Sequence, residues 1–218
     1  MTVPLRVVIA DDQEIVRSGI RLILEAHGID VLGEATDGRE AVDLARRLRP
    51  DVVLVDIRMP RLDGLEVTRL LAGKDVENPI PVVVVTTFDH DEYVGTAIRN
   101  GASGFLLKDA GPALLVEAVR AAAAGDALVS PSITVRFLQH FSERANPPSS
   151  REPTTTLTER EEDIVRSVAR GMTNAEIGEQ LFISLSTVKS HVANIQSKLG
   201  VRNRVEIAGW VWETGRMA

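Results

Sequence analysis

Asp51-Val52-Val53-Leu54-Val55-Asp56-Ile57-Arg58-Met59-Pro60 is the stretch on which the fold turns. Four consecutive apolar residues, three of them Val, read as a short buried strand. The strand delivers a carboxylate, Asp56, at its C-terminal end. Pro60 then fixes a sharp exit, because it cannot continue a ladder. In an open parallel sheet, ligands bind outside the carboxyl ends of the strands. A carboxylate there is a metal ligand, a nucleophile or a cap for the next loop. What else arrives at the same edge decides among the three.

On the N-terminal side, Leu5 to Ala10 reads as a first buried strand and runs into Asp11-Asp12. Gln13 to Ala26 carries Ile15, Val16, Ile20, Leu22 and Ile23 at helical spacing. Val31 to Ala35 reads as a second strand. Asp37-Gly38 turns into a helix through Ala41, Leu44, Ala45 and Leu48 that Pro50 ends. Beyond Asp56, Leu62-Asp63-Gly64 is a turn and Leu65 to Leu71 is helical. Val82 to Val85 forms a fourth strand ending in Thr86-Thr87. Asp91 to Asn100 is a helix closed by Gly101. Gly104 to Leu107 is a fifth strand ending in Lys108, and an Ala-rich helix runs from Gly111-Pro112 to Gly125.

Five alternations of strand and helix predict an α/β fold: a five-stranded parallel sheet with helices on both faces. Right-handed crossovers put all five strand ends on one edge. Asp11, Asp12, Asp56, Thr86 and Lys108 therefore share a rim. Clustered carboxylates repel and need a cation. Oxygen donors without His or Cys suit a hard ion such as Mg²⁺, which takes one or two carboxylates plus water and phosphate oxygens. Lys108 suits a phosphoryl oxygen, and a carboxylate so placed can attack phosphorus to form an aspartyl phosphate. Each residue alone has a plainer role: a helix cap for Asp11 or Asp12, a strand-end residue for Thr86, a solvated amine for Lys108. Their arrival together favours phosphoryl chemistry.

Residues 1 to about 125 resemble the receiver domain of two-component response regulators, through Ile9-Ala10-Asp11-Asp12, Val55 to Pro60, Asp63-Gly64, Thr86 and Gly104 to Lys108. The resemblance implies a flavodoxin-like α/β receiver in which Asp56 accepts phosphate from a sensor histidine kinase. It implies Mg²⁺ at Asp11, Asp12, Asp56 and the Arg58 backbone carbonyl. Thr86 would move toward the phosphate, and Phe105 would follow as the switch aromatic. Phe105 lacks the hydroxyl that many receivers carry there, so it reports only by packing, or else is simply core.

The chain has 218 residues, 44% of them hydrophobic, and no Cys. Disulfides and thiolate zinc sites are excluded, which fits a cytoplasmic location. Met1 to Arg6 opens into a strand rather than a signal peptide. No apolar run approaches the roughly 20 residues that span a bilayer. The net charge of −6 is uneven: Arg151 to Ala218 holds 9 Lys+Arg and 9 Asp+Glu, so the acidity belongs to the first 150 residues.

Ser130 to Ser142 reads as helical, and Glu143 to Thr156, with three Pro and three consecutive Thr, as a linker. Three regions follow: a phosphoacceptor domain over 1–125, a linker with a helix over 126–156, and a second domain over 157–218. In the last, Thr158 and Glu161 form a capping box. A short helix, capped by Thr173 or Asn174, carries Ile177, Leu181 and Phe182. A longer one, capped by Ser184 or Ser186, runs to Leu199, and a fourth carries Val205, Ile207, Ala208 and Val211. Four short helices suit an all-α helix-turn-helix domain. Val188, Val192, Ile195 and Leu199 would be core. Lys189, Lys198, Arg202 and Arg204, with no acid between Gln180 and Val205, make a local basic surface fit for DNA.

Leu157 to Ala208 resembles the LuxR-type helix-turn-helix of the NarL/FixJ class, through Leu157 to Glu161, Gly171 to Ile177, Ser186 to Val192, Lys198 to Val201 and Arg204. The resemblance implies that Lys189 and Ser190 reach base edges, with Ala193 facing the groove. Thr187, His191 and Asn194 would sit on phosphates, and Arg204 would join the DNA-binding set. The last helix, with Trp210 and Trp212, resembles a dimer-forming helix, although one Trp fits the core equally well. The expected protein is a DNA-binding transcriptional response regulator, a homodimer when phosphorylated, with a histidine kinase and double-stranded DNA as partners and no membrane. Two other readings are a phosphorylation-independent regulator with a receiver-like dimerisation domain and an aspartate-nucleophile phosphatase.

Overall fold

The structure is a computed structural model that describes residues 4–87, 91–126, 128–129, 156–201, 203–214 and 216. The expected helix at Ser130 to Ser142, nearly all of the expected linker, Arg202 and the Trp212 side chain lie outside the described residues. The chain divides into two compact units, and the division falls within the stretch 130–155.

In the first unit, β1 (Arg6–Ala10), β2 (Asp30–Ala35), β3 (Val52–Val55), β4 (Val82–Thr86) and β5 (Gly104–Leu107) alternate with α1 (Glu14–Ala26), α2 (Gly38–Leu48), α3 (Gly64–Ala72), α4 (Asp91–Arg99) and α5 (Pro112–Ala124). The five expected strands are present and pair in parallel in the order β2-β1-β3-β4-β5. A two-residue β6 (Leu128–Val129) extends the sheet beside Gly104 and Phe105. It is too short for a periodicity argument to reveal. Every residue of β3 and β4 is buried, as the continuous apolar runs require of strands covered on both faces. Burying one such Val or Leu contributes about 1.5–3 kcal/mol, so these strands anchor the sheet.

The helix ends explain themselves locally. Asp37 caps α2 by accepting from Arg39 and Glu40 N–H, and Asp63 caps α3 by accepting from Glu66 N–H. Pro112 opens α5, where a missing N–H costs nothing. Gly125 ends it at φ 81°, a conformation that favours glycine. In α1, a helix as expected, the apolar residues divide between two faces. Ile20 and Leu24 are buried, but Ile15 is 82% exposed and Leu22 68%. Seven residues apart, they share one stripe, and that stripe faces solvent. Arg17 occupies the buried side instead, at 9% exposure.

The second unit holds α6 (Glu159–Ala169), α7 (Asn174–Leu181), α8 (Leu185–Leu199) and α9 (Arg204–Glu213). Thr158 and Glu161 form the expected capping box; Thr173 and Glu176 form a second. Ser184 caps α8 by accepting from Thr187 N–H, and Gly200 closes it at φ 64°. Ile164, Ile177, Val188, Ile195, Ile207 and Trp210 make the core. Trp210 packs inside. Phe182 instead stands beyond the end of α7, in a left-handed conformation and almost fully exposed. Among the described residues no helix is long and apolar enough to cross a membrane.

Candidate functional site

Each rim residue stands where a strand stops. Ala10 pairs with Val55, so β1 and β3 end level; Val55 pairs with Val84 and Thr86 with Leu107, so β4 and β5 end together two residues further along the same edge. Backbone bonds lock the exits. Asp56 N–H donates to the Ala10 carbonyl at 2.9 Å, and Lys108 N–H to the Thr86 carbonyl at 2.8 Å. One carboxylate oxygen each from Asp11, Asp12 and Asp56 lies within 4.8 Å of the others. Asp11 and Asp56 are buried, and Asp12 is exposed.

The Lys108 ammonium bridges the two buried carboxylates, 2.6 Å from Asp11 Oδ2 and 2.9 Å from Asp56 Oδ2. Burial pushes the Asp11 carboxyl above its ordinary pKa, and the hydrogen bond to Lys108 pulls it only part of the way back. Burial would lower the Lys108 pKa, but its hydrogen bonds to Asp11 and Asp56 outweigh this and raise it. The lysine is therefore a fixed positive charge. The other Asp56 oxygen accepts from Ile57 N–H at 2.7 Å. An all-oxygen set with excess negative charge and one exposed member fits a hard divalent cation.

Arg17 is a member of this site that helical periodicity concealed. Its guanidinium donates to the Asp11 backbone carbonyl at 2.8 Å and to Glu34 at 3.1 Å. The clue was its spacing with Ile20 and Leu24, which puts it on the buried face, where an arginine needs a partner. A depression of about 410 Å³ opens beside the rim, lined by Asp12, Arg58, Met59, Asp63 and Tyr93 among others. Thr86 is fully buried and Phe105 nearly so.

The candidate nucleic-acid face lies on α8. Val188, Val192, Ile195 and Leu199 are buried, while Lys189, Ser190, Ala193 and Asn194 are exposed and Thr187 and His191 half-buried. Ser190 donates its hydroxyl proton to the Ser186 carbonyl at 3.0 Å, leaving its lone pairs to offer. The Thr187 hydroxyl lies 2.7 Å from Ser184 Oγ. Arg204, expected at DNA, is instead buried and donates to Asn174 Oδ1 at 2.8 Å. It ties α9 to α7, because a buried guanidinium needs acceptors. Lys198 is engaged by Glu161 at 2.7 Å. The basic surface is narrower than composition implies, and Lys189 is its exposed cation among the described residues.

Residues 7–120 match the model of the response regulator receiver domain, and residues 155–211 that of the bacterial regulatory proteins of the luxR family. The chain is 39% identical over 209 residues to the nitrate/nitrite response regulator protein NarL of Escherichia coli (strain K12), covering 95% of each. It is similar to the solved response regulator ChrA of a heme-sensing two-component system, at 34% identity and TM-score 0.53, covering 98% of each chain. A structure of two RcsB dimers bound to two parallel DNAs is 25% identical, with TM-score 0.56, and covers 97% of this chain and 99% of that one.

Proposed function

The chain belongs to the DNA-binding response regulators of the NarL/FixJ class and is a phosphorylation-switched transcriptional regulator, not an enzyme; from that premise we propose how its residues divide the work. The convergence of Asp11, Asp12, Asp56 and Lys108 at one rim carries the reading.

Asp56 is the phosphoacceptor. Its carboxylate oxygen forms the new bond to phosphorus as the bond from phosphorus to the kinase's histidine nitrogen breaks, and the electron pair leaves with that nitrogen. Asp11, Asp12, Asp56 and the Arg58 carbonyl would hold Mg²⁺, which supplies positive charge against the phosphoryl oxygens. Lys108, already pinned beside Asp56, exchanges its carboxylate contact for a phosphoryl oxygen. Thr86 then reports the new charge by hydrogen bonding to it, and Phe105 follows by packing into the space that Thr86 leaves.

In the output domain, 157–218, Lys189, Ser190 and Ala193 face the bases, and Thr187, His191 and Asn194 the phosphates. Phosphorylation favours a homodimer that binds two half-sites together, an arrangement that the DNA-bound dimers of RcsB support. The protein works in the cytoplasm, on a signal from a sensor histidine kinase. Mass spectrometry after treatment with acetyl phosphate and Mg²⁺ tests the assignment. One phosphoryl group on the peptide holding Asp56, absent without Mg²⁺, is expected; modification elsewhere overturns it.

A further inference from the structure

The loop that follows β3 is pinned at its neck and at its outer bend. At the neck, Gly64 N–H donates to the Ile57 carbonyl at 2.8 Å, and a side chain on Gly64 would strike the Asp56 carbonyl oxygen. At the bend, Arg61 has φ 69°, and Leu62 N–H donates to the Pro60 carbonyl at 2.8 Å. A positive φ inside a hydrogen bond that spans two residues marks the rarer, strained form of the γ-turn. A residue with a Cβ resists that conformation, and glycine takes it readily.

What Arg61 has and glycine lacks is a guanidinium, and it pairs with Asp37. The Asp37 side chain is 2% exposed. Its Oδ1 already accepts from Arg39 N–H at 2.9 Å and Glu40 N–H at 3.0 Å. Arg61 meets its second oxygen. The same bend rests on the start of α2: Gly38 N–H donates to the Pro60 carbonyl at 3.4 Å, and a side chain at Gly38 would strike the Leu62 carbonyl. Neither Arg61 nor Asp37 belongs to the carboxylate cluster.

We infer that the Arg61–Asp37 pair is a latch that sets the position of the Arg58 carbonyl for Mg²⁺, making both positioning residues for the phosphoacceptor site. The inference rests on the reading that Arg58 supplies a ligand oxygen. Arg58 sits between the pinned neck and the pinned bend, so releasing the bend frees its carbonyl to wander. Mg²⁺ demands near-ideal octahedral geometry at short distance, whereas Ca²⁺ accepts a looser, larger shell. The latch therefore favours the smaller ion. The Arg61 side chain is 65% exposed, so the pair acts by geometry and little by Coulomb energy. Losing it leaves Asp37 with both amide donors, and α2 keeps its cap.

The test is isothermal titration of the full-length protein with Mg²⁺ and, separately, Ca²⁺, on wild type, Arg61→Gly, Arg61→Lys and Asp12→Ala, with thermal unfolding of each. Arg61→Gly is expected to raise the Mg²⁺ Kd about three- to ten-fold, less than losing a partner that touches a ligand directly. The Ca²⁺ Kd should change less than about two-fold, and the unfolding midpoint should not fall, because glycine relaxes the turn. Arg61→Lys should restore Mg²⁺ affinity in large part. If Arg61→Gly binds Mg²⁺ like wild type while Asp12→Ala does not, the latch has no bearing on the metal. Equal weakening of both ions, or a matching fall in the midpoint, overturns positioning in favour of general loosening. If Asp12→Ala also binds Mg²⁺ normally, the rim is not the metal site and the underlying reading fails with the latch.

Discussion

Replacing Lys108 with Met removes the charge that reconciles two buried carboxylates while keeping most of the side-chain volume. The Lys108 side chain is 10% exposed, and those of Asp11 and Asp56 are 2% and 3%. Removing one partner of a buried ion pair costs about 3–5 kcal/mol. The lower end applies here, because burial already pushes the Asp11 carboxyl toward taking up a proton. At about 2.1 cal/mol/K of unfolding entropy per residue, a receiver of roughly 120 residues melts about 12 °C lower for a loss of 3 kcal/mol. Mg²⁺ should return most of this, since free ligand at about 100 times its Kd contributes about 2.7 kcal/mol. In the wild type the ion gains less, because it must displace an ammonium already in place. The assay is differential scanning calorimetry in chelator and in Mg²⁺. Tryptophan fluorescence will not serve, because both Trp lie at 210 and 212, in the output domain. A receiver midpoint within about 3 °C of wild type in chelator, or an equal Mg²⁺ gain in both proteins, would refute the counter-charge argument.

Thr86→Ala should accept phosphate at Asp56 yet show no gain in DNA affinity, because the hydroxyl reports the phosphate and does not transfer it; equal gains in variant and wild type by fluorescence anisotropy would remove Thr86 from the switch. Lys189→Ala should weaken specific operator binding by about 1–3 kcal/mol if the lysine makes a good base-edge contact, and unchanged sequence preference would misplace the recognition face. Glu161→Gln should destabilise the output domain by about 1–3 kcal/mol, because it weakens the bond to Lys198 and the capping box. Burial pushes the Glu161 carboxyl up, but Lys198 and Thr158 outweigh that and hold it below its ordinary value of 4.5. Its stabilisation is therefore present above about pH 4.5 and lost as pH falls through the folded-state value. The wild type should lose its advantage over the variant in that acidic window, as read by Trp210 fluorescence on heating.

The rim was legible because it depends on order alone. Strand ends of a parallel sheet share an edge whatever the side chains do, so Asp11, Asp56, Thr86 and Lys108 could be brought together from alternation of elements. The core of α8 was legible for the same reason, since Val188, Val192, Ile195 and Leu199 follow helical spacing. What stayed hidden were side chains that reach between elements. Arg61 meets Asp37 across 24 residues and Arg204 meets Asn174 across 30; no periodicity encodes such a reach. Counting charges treats every cation as solvated, which led Arg204 to be expected at DNA. Apolar spacing located α1 but did not tell its inner face from its outer one, and the stripe of Ile15 and Leu22 looks outward.

The central claim is that a phosphoryl group on Asp56 drives dimer formation and DNA binding together. Sedimentation and operator binding of the full-length protein, with and without acetyl phosphate and Mg²⁺, test it most directly when Asp56→Ala is run beside the wild type. The wild type should gain mass to a dimer and gain operator affinity in step, and Asp56→Ala should do neither. A fully phosphorylated wild type that stays monomeric with unchanged affinity would contradict the claim, as would an Asp56→Ala protein that responds to the donor like wild type.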